Sequence, residues 1–391
     1  AVAVDIENDD DETLKQVAGT AMTGKGAEQY SDRRSELVVD AAQAVTVEAD
    51  DGSTVVDLAF LKIETQTGQS PAGSELLEGG AISKDPVHED MPTTVEDGDV
   101  LLVDEPLELS EAEADTQVSV TDPGQLDEFL QQEEQELRAL VDDIVDLGAD
   151  AVLCQKGIDD MVQHYLAKEG ILALRRVKRS DIEFLREVLG AKVVSDLSTA
   201  TEADLGAGSL RRDEGEELFY IEGTAENAHG VTLLLRGSTD HVVDEIERGV
   251  NDALDVVGGA LMTGQVLPGG GAPEIEVASR LREFADSVSG RQQLAVEAYA
   301  DALEVVPRVL AENAGYDSID TLVDLRAAHS EGNEQVGINV HTGDIEDALE
   351  AGIVETPGAK QQALASASEA ANLVLKIDDI ISAGDLSTEG D

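Results

Sequence analysis

Few residues in this chain have types and spacings that could do chemistry. The triple glycine Gly269-Gly270-Gly271 lies between Val266-Leu267-Pro268 and an apparent helix start at Ala272-Pro273-Glu274. Backbone amides without side chains at the start of a helix can cradle phosphate groups. A plain hinge between domains would use the same residues, and three glycines do not separate the two readings. Upstream, Asp252 falls near the middle of a helical stretch, Asn251-Asp252-Ala253-Leu254. Taken alone, a helical aspartate reads as one charge of a solvated face.

Other chemistries find no support. His88, His164, His229, His241, His329 and His341 are scattered, none of them three or four residues from another histidine or from Cys154, so no zinc-type pattern exists. No serine sits in a Gly-x-Ser-x-Gly elbow, and no glycine-rich loop ends in Lys followed by Ser or Thr. Cys154, inside the apolar run Ala151-Val152-Leu153-Cys154, reads as a buried structural thiol. As the sole cysteine it forms no internal disulfide, which fits a reducing compartment.

The elements that would position these residues change character along the chain. Asp9-Asp10-Asp11-Glu12 suits a helix N-terminus, and Leu14, Val17, Ala18 and Ala21 follow at helical spacing up to Thr23-Gly24-Lys25-Gly26. Leu37, Val38, Ala41, Ala44 and Val45 share one face of a second helix, and Val55 to Ile63 reads as a strand. From about residue 79, short apolar strands at 99–104, 151–155, 171–174 and 192–194 alternate with helices, the signature of βαβ units and a mainly parallel sheet. Ser180 and Glu183 are spaced as a capping box. A long helix is predicted from Asp122-Pro123 to Gly148. Its Leu126, Phe129 and Leu130 make either a core-facing stripe or an exposed partner-binding tip. A strand at 231–235 and a helix from about Thr239 to Met262 lead to the glycines, and the remainder reads as helical.

The 391 residues carry 84 acidic against 26 basic side chains, a net charge of −58. Nucleic acids and anionic membranes are bound through Lys and Arg, so neither is an expected partner. At molar ionic strength the Debye length is about 3 Å, which screens the self-repulsion while the acidic surface stays solvated. The composition therefore reads as a salt-adapted protein. With 41% hydrophobic residues spread evenly it also reads as folded, and its length of 391 residues suggests two to four domains. The N-terminal Ala1–Glu7 stretch has no charged leader, and no apolar run reaches about 18 residues, so a cytoplasmic location is expected.

Taken together, ordered stretches along almost the whole chain resemble the group II chaperonins, the archaeal thermosome subunits. They are Thr20-Ala21-Met22-Thr23-Gly24-Lys25, Val152 to Asp159, Tyr165-Leu166-Ala167-Lys168, Asn251-Asp252-Ala253-Leu254, Val266 to Ala272, Asp320 to Arg326, Gly337-Ile338-Asn339-Val340 and Leu375 to Asp379. The resemblance implies a multidomain α+β and α/β fold. It divides the chain into an intermediate domain (1–78 and 233–268), an apical α/β substrate-binding domain (79–232) with a helical protrusion at about 115–148, and the C-terminal half of an all-α equatorial ATP-binding domain (269–391). It turns the reading of Leu126, Phe129 and Leu130 towards the lid and substrate surface.

Residue by residue, the resemblance implies that Asp252 positions and activates the attacking water in ATP hydrolysis. Gly269 and Gly270 match nucleotide-binding positions, Asn339 and Val340 the adenine-contacting turn, and Glu355 the acid that meets the ribose. Lys25 resembles the lysine of a γ-phosphate-sensing loop. An aligned carboxylate is sensible here, because phosphoryl transfer depends on positioning and charge neutralisation more than on covalent help. After Glu355 the sequence reads Thr356-Pro357-Gly358, where the family usually has Pro directly after the acid, which predicts a different local turn.

The implied activity is ATP-driven protein folding by a double ring of homologous subunits acting on unfolded clients, with Mg2+ as the companion of ATP. The phosphate loop, the Gly-Asp-Gly-Thr-Thr segment that binds Mg2+ and a second catalytic aspartate of the family precede the part matched here. The expectation is thus a chain lacking the N-terminal half of the equatorial domain, with no metal ligand of its own. A fragment acting as an ATP-independent holdase through its apical domain is the alternative reading. A small-molecule enzyme on a doubly wound sheet is the weakest, for want of a convergent His, Cys or Ser set.

Overall fold

The computed structural model describes residues 2–23, 31–49, 51–109, 123–225 and 229–376, with the backbone alone for 123–130. The chain forms two compact units, Asp40–Arg248 and a second made of Ala1–Val39 with Gly249–Asp391.

In the first of these, strand Leu61–Thr67 pairs in parallel with Val231–Gly237, whose other edge takes Glu75–Glu78 antiparallel. A seven-stranded sheet runs in the order Gly80–Ile82, Leu218–Gly223, Gly206–Asp213, Thr94–Val103, Ala151–Cys154, Leu172–Leu174, with Val193–Val194 beside the end of Thr94–Val103. The run Val100-Leu101-Leu102-Val103 is buried on both faces, because alternate side chains of a strand point opposite ways. Val100 and Leu102 pack with Ile182, Leu185 and Val188 of helix Arg179–Leu189. Leu101 and Val103 pack with Leu137, Val141 and Ile144 of helix Pro123–Leu147 and with Val162 and Leu166 of helix Asp160–Glu169. Cys154 belongs to that second layer, as its apolar run predicted.

Four local expectations are corrected. The sheet is not mainly parallel: among the described residues three pairings are parallel and three antiparallel, because the chain between 206 and 223 forms a hairpin. Its tight turn is closed by Asp213 Oδ1, which accepts from the amides of Gly215 (2.9 Å) and Glu216 (3.1 Å). Ser180 caps nothing. Its helix begins two residues earlier than such a cap would set, at Arg179 with Lys178 in the cap position; Glu183 accepts from Arg179 Nε (2.8 Å), and Asp181 is drawn to Lys62 Nζ (3.0 Å). The single strand expected over 55–63 is split by a 3-10 turn, Leu58–Phe60, because Asp57 accepts from the amide of Ala59 (3.0 Å) and folds the chain locally. The last stretch is not purely helical, since it includes strands Val336–Ile338, Ile345–Asp347 and Val354–Glu355.

Arg236, with its side chain 6% exposed, joins the two sheets of this unit. Its guanidinium reaches Glu75 (2.7 Å) and Gly73 O from one sheet region and Glu216 (2.9 and 3.1 Å) from the hairpin turn of the other. Glu216 also accepts from the hydroxyl of Tyr220 and from Gln69.

In the other unit, Asp10 caps helix Asp11–Met22 by accepting from the amide of Thr13 (3.2 Å), and Leu14, Val17, Ala18 and Met22 form its buried face. Strand Gln265–Pro268 is the centre of a three-stranded antiparallel sheet flanked by Val4–Asp5 and Val354–Glu355. It is fed by the long helix Asp240–Thr263 and continues through the glycines into helix Ala272–Ala285. Buried Glu304 bridges Arg282 (2.6 and 2.7 Å) and Arg326 (2.8 Å), tying helix Ala272–Ala285 to helix Ser318–Ser330. No helix among the described residues is long and apolar enough to cross a membrane.

Candidate functional site

Strand Gln265–Pro268 delivers the three glycines into a crowded place. The amide of Gly269 donates to Ile353 O (2.7 Å), and Gly270 O accepts from the amide of Ile338 (2.9 Å). A Cβ at Gly270, whose φ is +63°, would lie 2.5 Å from Ile338 O, and one at Gly337 would lie 2.4 Å from Gly269 O. Backbone therefore meets backbone across 269–270, 337–338 and 353, and only glycine allows that approach.

This junction floors a cleft of about 740 Å³, within the range of ligand-binding cavities. Gly270, Asn339, Val340 and Glu355 all line it. Gly269 packs directly behind, its amide already spent on Ile353 O. Asn339 holds its own turn, accepting from the amide of His341 (3.0 Å) and donating to Glu346 (2.8 Å), and Asn339, Val340 and His341 all line the cleft. The opposite wall is helix Asp11–Met22, fixed to the last strand by Thr20, whose hydroxyl accepts from the amide of Val354 (3.1 Å). Lys15, Gln16, Thr20 and Thr23 project from that wall, and Ser31, Asp32 and Ser35 continue it.

Of these wall residues, Thr20 and Thr23 entered the sequence reading only within a stretch that carries the family resemblance, and Lys15, Gln16, Ser31, Asp32 and Ser35 had no assigned role. A signal existed: opposite the apolar positions Leu14, Val17 and Ala18, the helix carries Gln16, Gly19, Thr20 and Thr23, mostly short polar or absent side chains that leave room for a ligand.

Asp252 is half-buried on helix Asp240–Thr263 and is not among the lining residues. Lys25 lies outside the described residues. Leu126, Phe129 and Leu130 fall in the opening turns of helix Pro123–Leu147, where the backbone alone is described, and 115–122 of the expected protrusion lies outside the described residues.

Glu355 carries the notable electrostatics. Burial pushes its carboxyl up from the ordinary range, while an ion pair with Lys360 pulls it back down. Lys360 is itself raised on balance, because Glu355 and Glu274 (2.7 Å) outweigh its burial. Among the described residues no group of three or more His, Cys, Asp or Glu could hold a metal ion.

Comparison with known proteins decides the family. The model of the TCP-1/cpn60 chaperonin family matches residues 1–385. The chain belongs to the TCP-1/cpn60 chaperonin family. It is 65% identical over 390 residues to thermosome subunit 2 of Haloferax volcanii, covering 100% of this chain and 70% of that protein. To thermosome subunit beta of Halobacterium salinarum it is 65% identical over 389 residues, covering 99% of this chain and 70% of the relative. Among solved structures, the open-state monomer of a group II chaperonin from Methanococcoides burtonii superposes with a TM-score of 0.72 at 40% identity, covering 96% of this chain and 88% of that one. The chaperonin fold is thus of the group II kind, and the chain is a chaperonin subunit.

Proposed function

We propose that this chaperonin subunit binds ATP in the 740 Å³ cleft and couples nucleotide turnover to the folding of unfolded protein clients. The supporting observation is convergence: Gly270, Asn339, Val340 and Glu355, distant in sequence, line one cleft of nucleotide size. The fit is chemical as well as spatial. The glycine junction leaves backbone where a Cβ would intrude, Glu355 offers an acceptor to ribose hydroxyls, and the 339–340 turn offers main chain to a base edge.

Phosphoryl transfer to water needs an aligned nucleophile. Asp252 is assigned that role, its carboxylate brought to the bound nucleotide by closure, with Lys25 reading the terminal phosphate. Mg2+ would neutralise phosphate charge; the described residues present no cluster for it, so no step of this chain is assigned to the ion. On this reading 1–78 and 233–268 form an intermediate domain, 79–232 an apical domain whose lid carries Leu126, Phe129 and Leu130, and 269–391 the equatorial part. Homologous subunits in a double ring are the assembly, and the cytoplasm is its location.

The test pairs nucleotide binding with turnover in molar KCl. ADP should bind the purified chain, and Asp252→Ala should leave ADP affinity within about threefold while any ATP hydrolysis falls by at least a hundredfold, as for loss of a water-aligning group. Binding that survives Gly270→Val unchanged would reject the cleft as the nucleotide site.

A further inference from the structure

Behind the cleft lies a partly buried charge cluster to which the family comparisons assign nothing. Helix Pro357–Leu375 starts two residues after Glu355 and carries Lys360 in its first turn. Lys360 Nζ is 2.7 Å from Glu274 Oε1 and ion-paired with Glu355, and its side chain is 17% exposed. Glu274, 3% exposed, projects from the first turn of helix Ala272–Ala285, directly after the glycines. Its second oxygen is buried without a hydrogen-bond partner among the described residues. Two carboxylates thus share one ammonium, and of the three groups only Glu355 lines the cleft.

We propose that Lys360 is a positioning residue for ligand selection: anchored by Glu274, it keeps the Glu355 carboxylate charged and in place, so that the cleft prefers nucleotides bearing ribose hydroxyls. This rests on the nucleotide reading of the cleft. A charged carboxylate accepts hydroxyl hydrogen bonds more strongly than its neutral form does. Burial works against that charge at Glu355, and so does the nearby carboxylate of Glu274; Lys360 opposes both. The other charged or titratable groups on the surrounding elements are Glu12 and Lys15 on helix Asp11–Met22, Asp32 on the next helix and His341 on the 339–344 turn, all lining the same cleft. The strand partner of Glu355 is the apolar Leu267. Because the folded-state carboxyl is raised, its charge is lost at a higher pH than for an ordinary carboxylate as the solution is acidified. Without Lys360 that loss moves higher still.

The experiment is isothermal titration calorimetry of the full chain with ADP and with 2′,3′-dideoxy-ADP, from pH 6 to 8 in molar KCl. The variants are Lys360→Met, Lys360→Arg, Glu355→Gln and the Lys360→Met/Glu355→Gln double variant. The wild type should prefer ADP by about tenfold, the worth of a hydrogen bond to a charged group. Lys360→Met should reduce the preference to about twofold or less at pH 7 and shift its pH midpoint upward, and Lys360→Arg should restore most of it. In the Glu355→Gln background, Lys360→Met should have no further effect on the preference. A Lys360→Met variant that weakens both nucleotides equally while the ADP preference stands would overturn the proposal and leave the nucleotide site intact. Absence of binding of either nucleotide to the wild type would overturn both. Should Lys360→Met fail to fold, the pH dependence of the preference decides through Lys360→Arg and Glu355→Gln: a profile unmoved by Glu355→Gln rejects the proposal.

Discussion

The packing of Gly270 against the 337–338 turn can be tested by a single added methyl group. Gly270→Ala places a Cβ 2.5 Å from Ile338 O, 2.7 Å from Ile338 N and 3.1 Å from Gly337 C, all backbone atoms that cannot swing aside. It also forces a φ of +63° on a non-glycine residue. The left-handed conformation costs about 1–2 kcal/mol, offset in part by reduced freedom of the unfolded chain, for a net of about 1 kcal/mol. Overpacking adds about 1–3 kcal/mol, so the total is about 2–4 kcal/mol. Two alanine substitutions in the same unit separate these contributions. Gly315, at the C-cap of helix Val305–Ala314 with φ +85°, has nothing within 4 Å of its Cβ position, so Gly315→Ala should show the conformational cost alone, about 1 kcal/mol. Gly358, within helix Pro357–Leu375, is equally open and has no positive φ, so Gly358→Ala should stabilise by about 0.5–1 kcal/mol. Urea unfolding by circular dichroism in molar KCl gives the three values, and hydrogen exchange of the 336–340 amides locates the damage. If Gly270→Ala costs no more than Gly315→Ala, the backbone contact is not tight and the account of the cleft floor is refuted.

Further outcomes follow from two buried groups in the sheet unit, Arg236 and Cys154. Arg236→Met should destabilise that unit by about 2–4 kcal/mol, below the full cost of breaking a buried pair because Glu75 is 45% exposed and water replaces part of its partner. Arg236→Lys should recover only part, since one ammonium cannot span Gly73 O, Glu75 and Glu216; thermal unfolding of the three proteins measures both. Burial pushes the Cys154 thiol up to about 11, so native protein at pH 8 should react with a thiol reagent at least a hundredfold more slowly than unfolded protein. Rapid labelling of the native state would contradict the packing of its strand.

Much of the fold is written in local pattern. Helix Asp11–Met22 declares itself through acids at its start and apolar residues on one face, and Val100 to Val103 through unbroken hydrophobicity that only a doubly covered strand tolerates. The hairpin between 206 and 223 was hidden, because its strands mix glycine, arginine and acids and its turn depends on one aspartate side chain. Ser180 and Glu183 had the right spacing for a cap, yet the attraction between Lys62 and Asp181, far apart in sequence, goes with a different helix start.

By itself the sequence determined the salt-adapted charge, the family and the identity of the residues worth watching, since each of these is carried by composition or by short ordered motifs. Only the tertiary structure decided that Gly270, Asn339, Val340 and Glu355 share one cleft, that Thr20 fixes its far wall, and that Lys360 and Glu274 stand behind Glu355. The physical reason is that a motif records residues adjacent along the chain. A cleft and the charge balance of a half-buried carboxylate depend on segments that meet only when the backbone packs, here through glycines that let three segments of main chain touch.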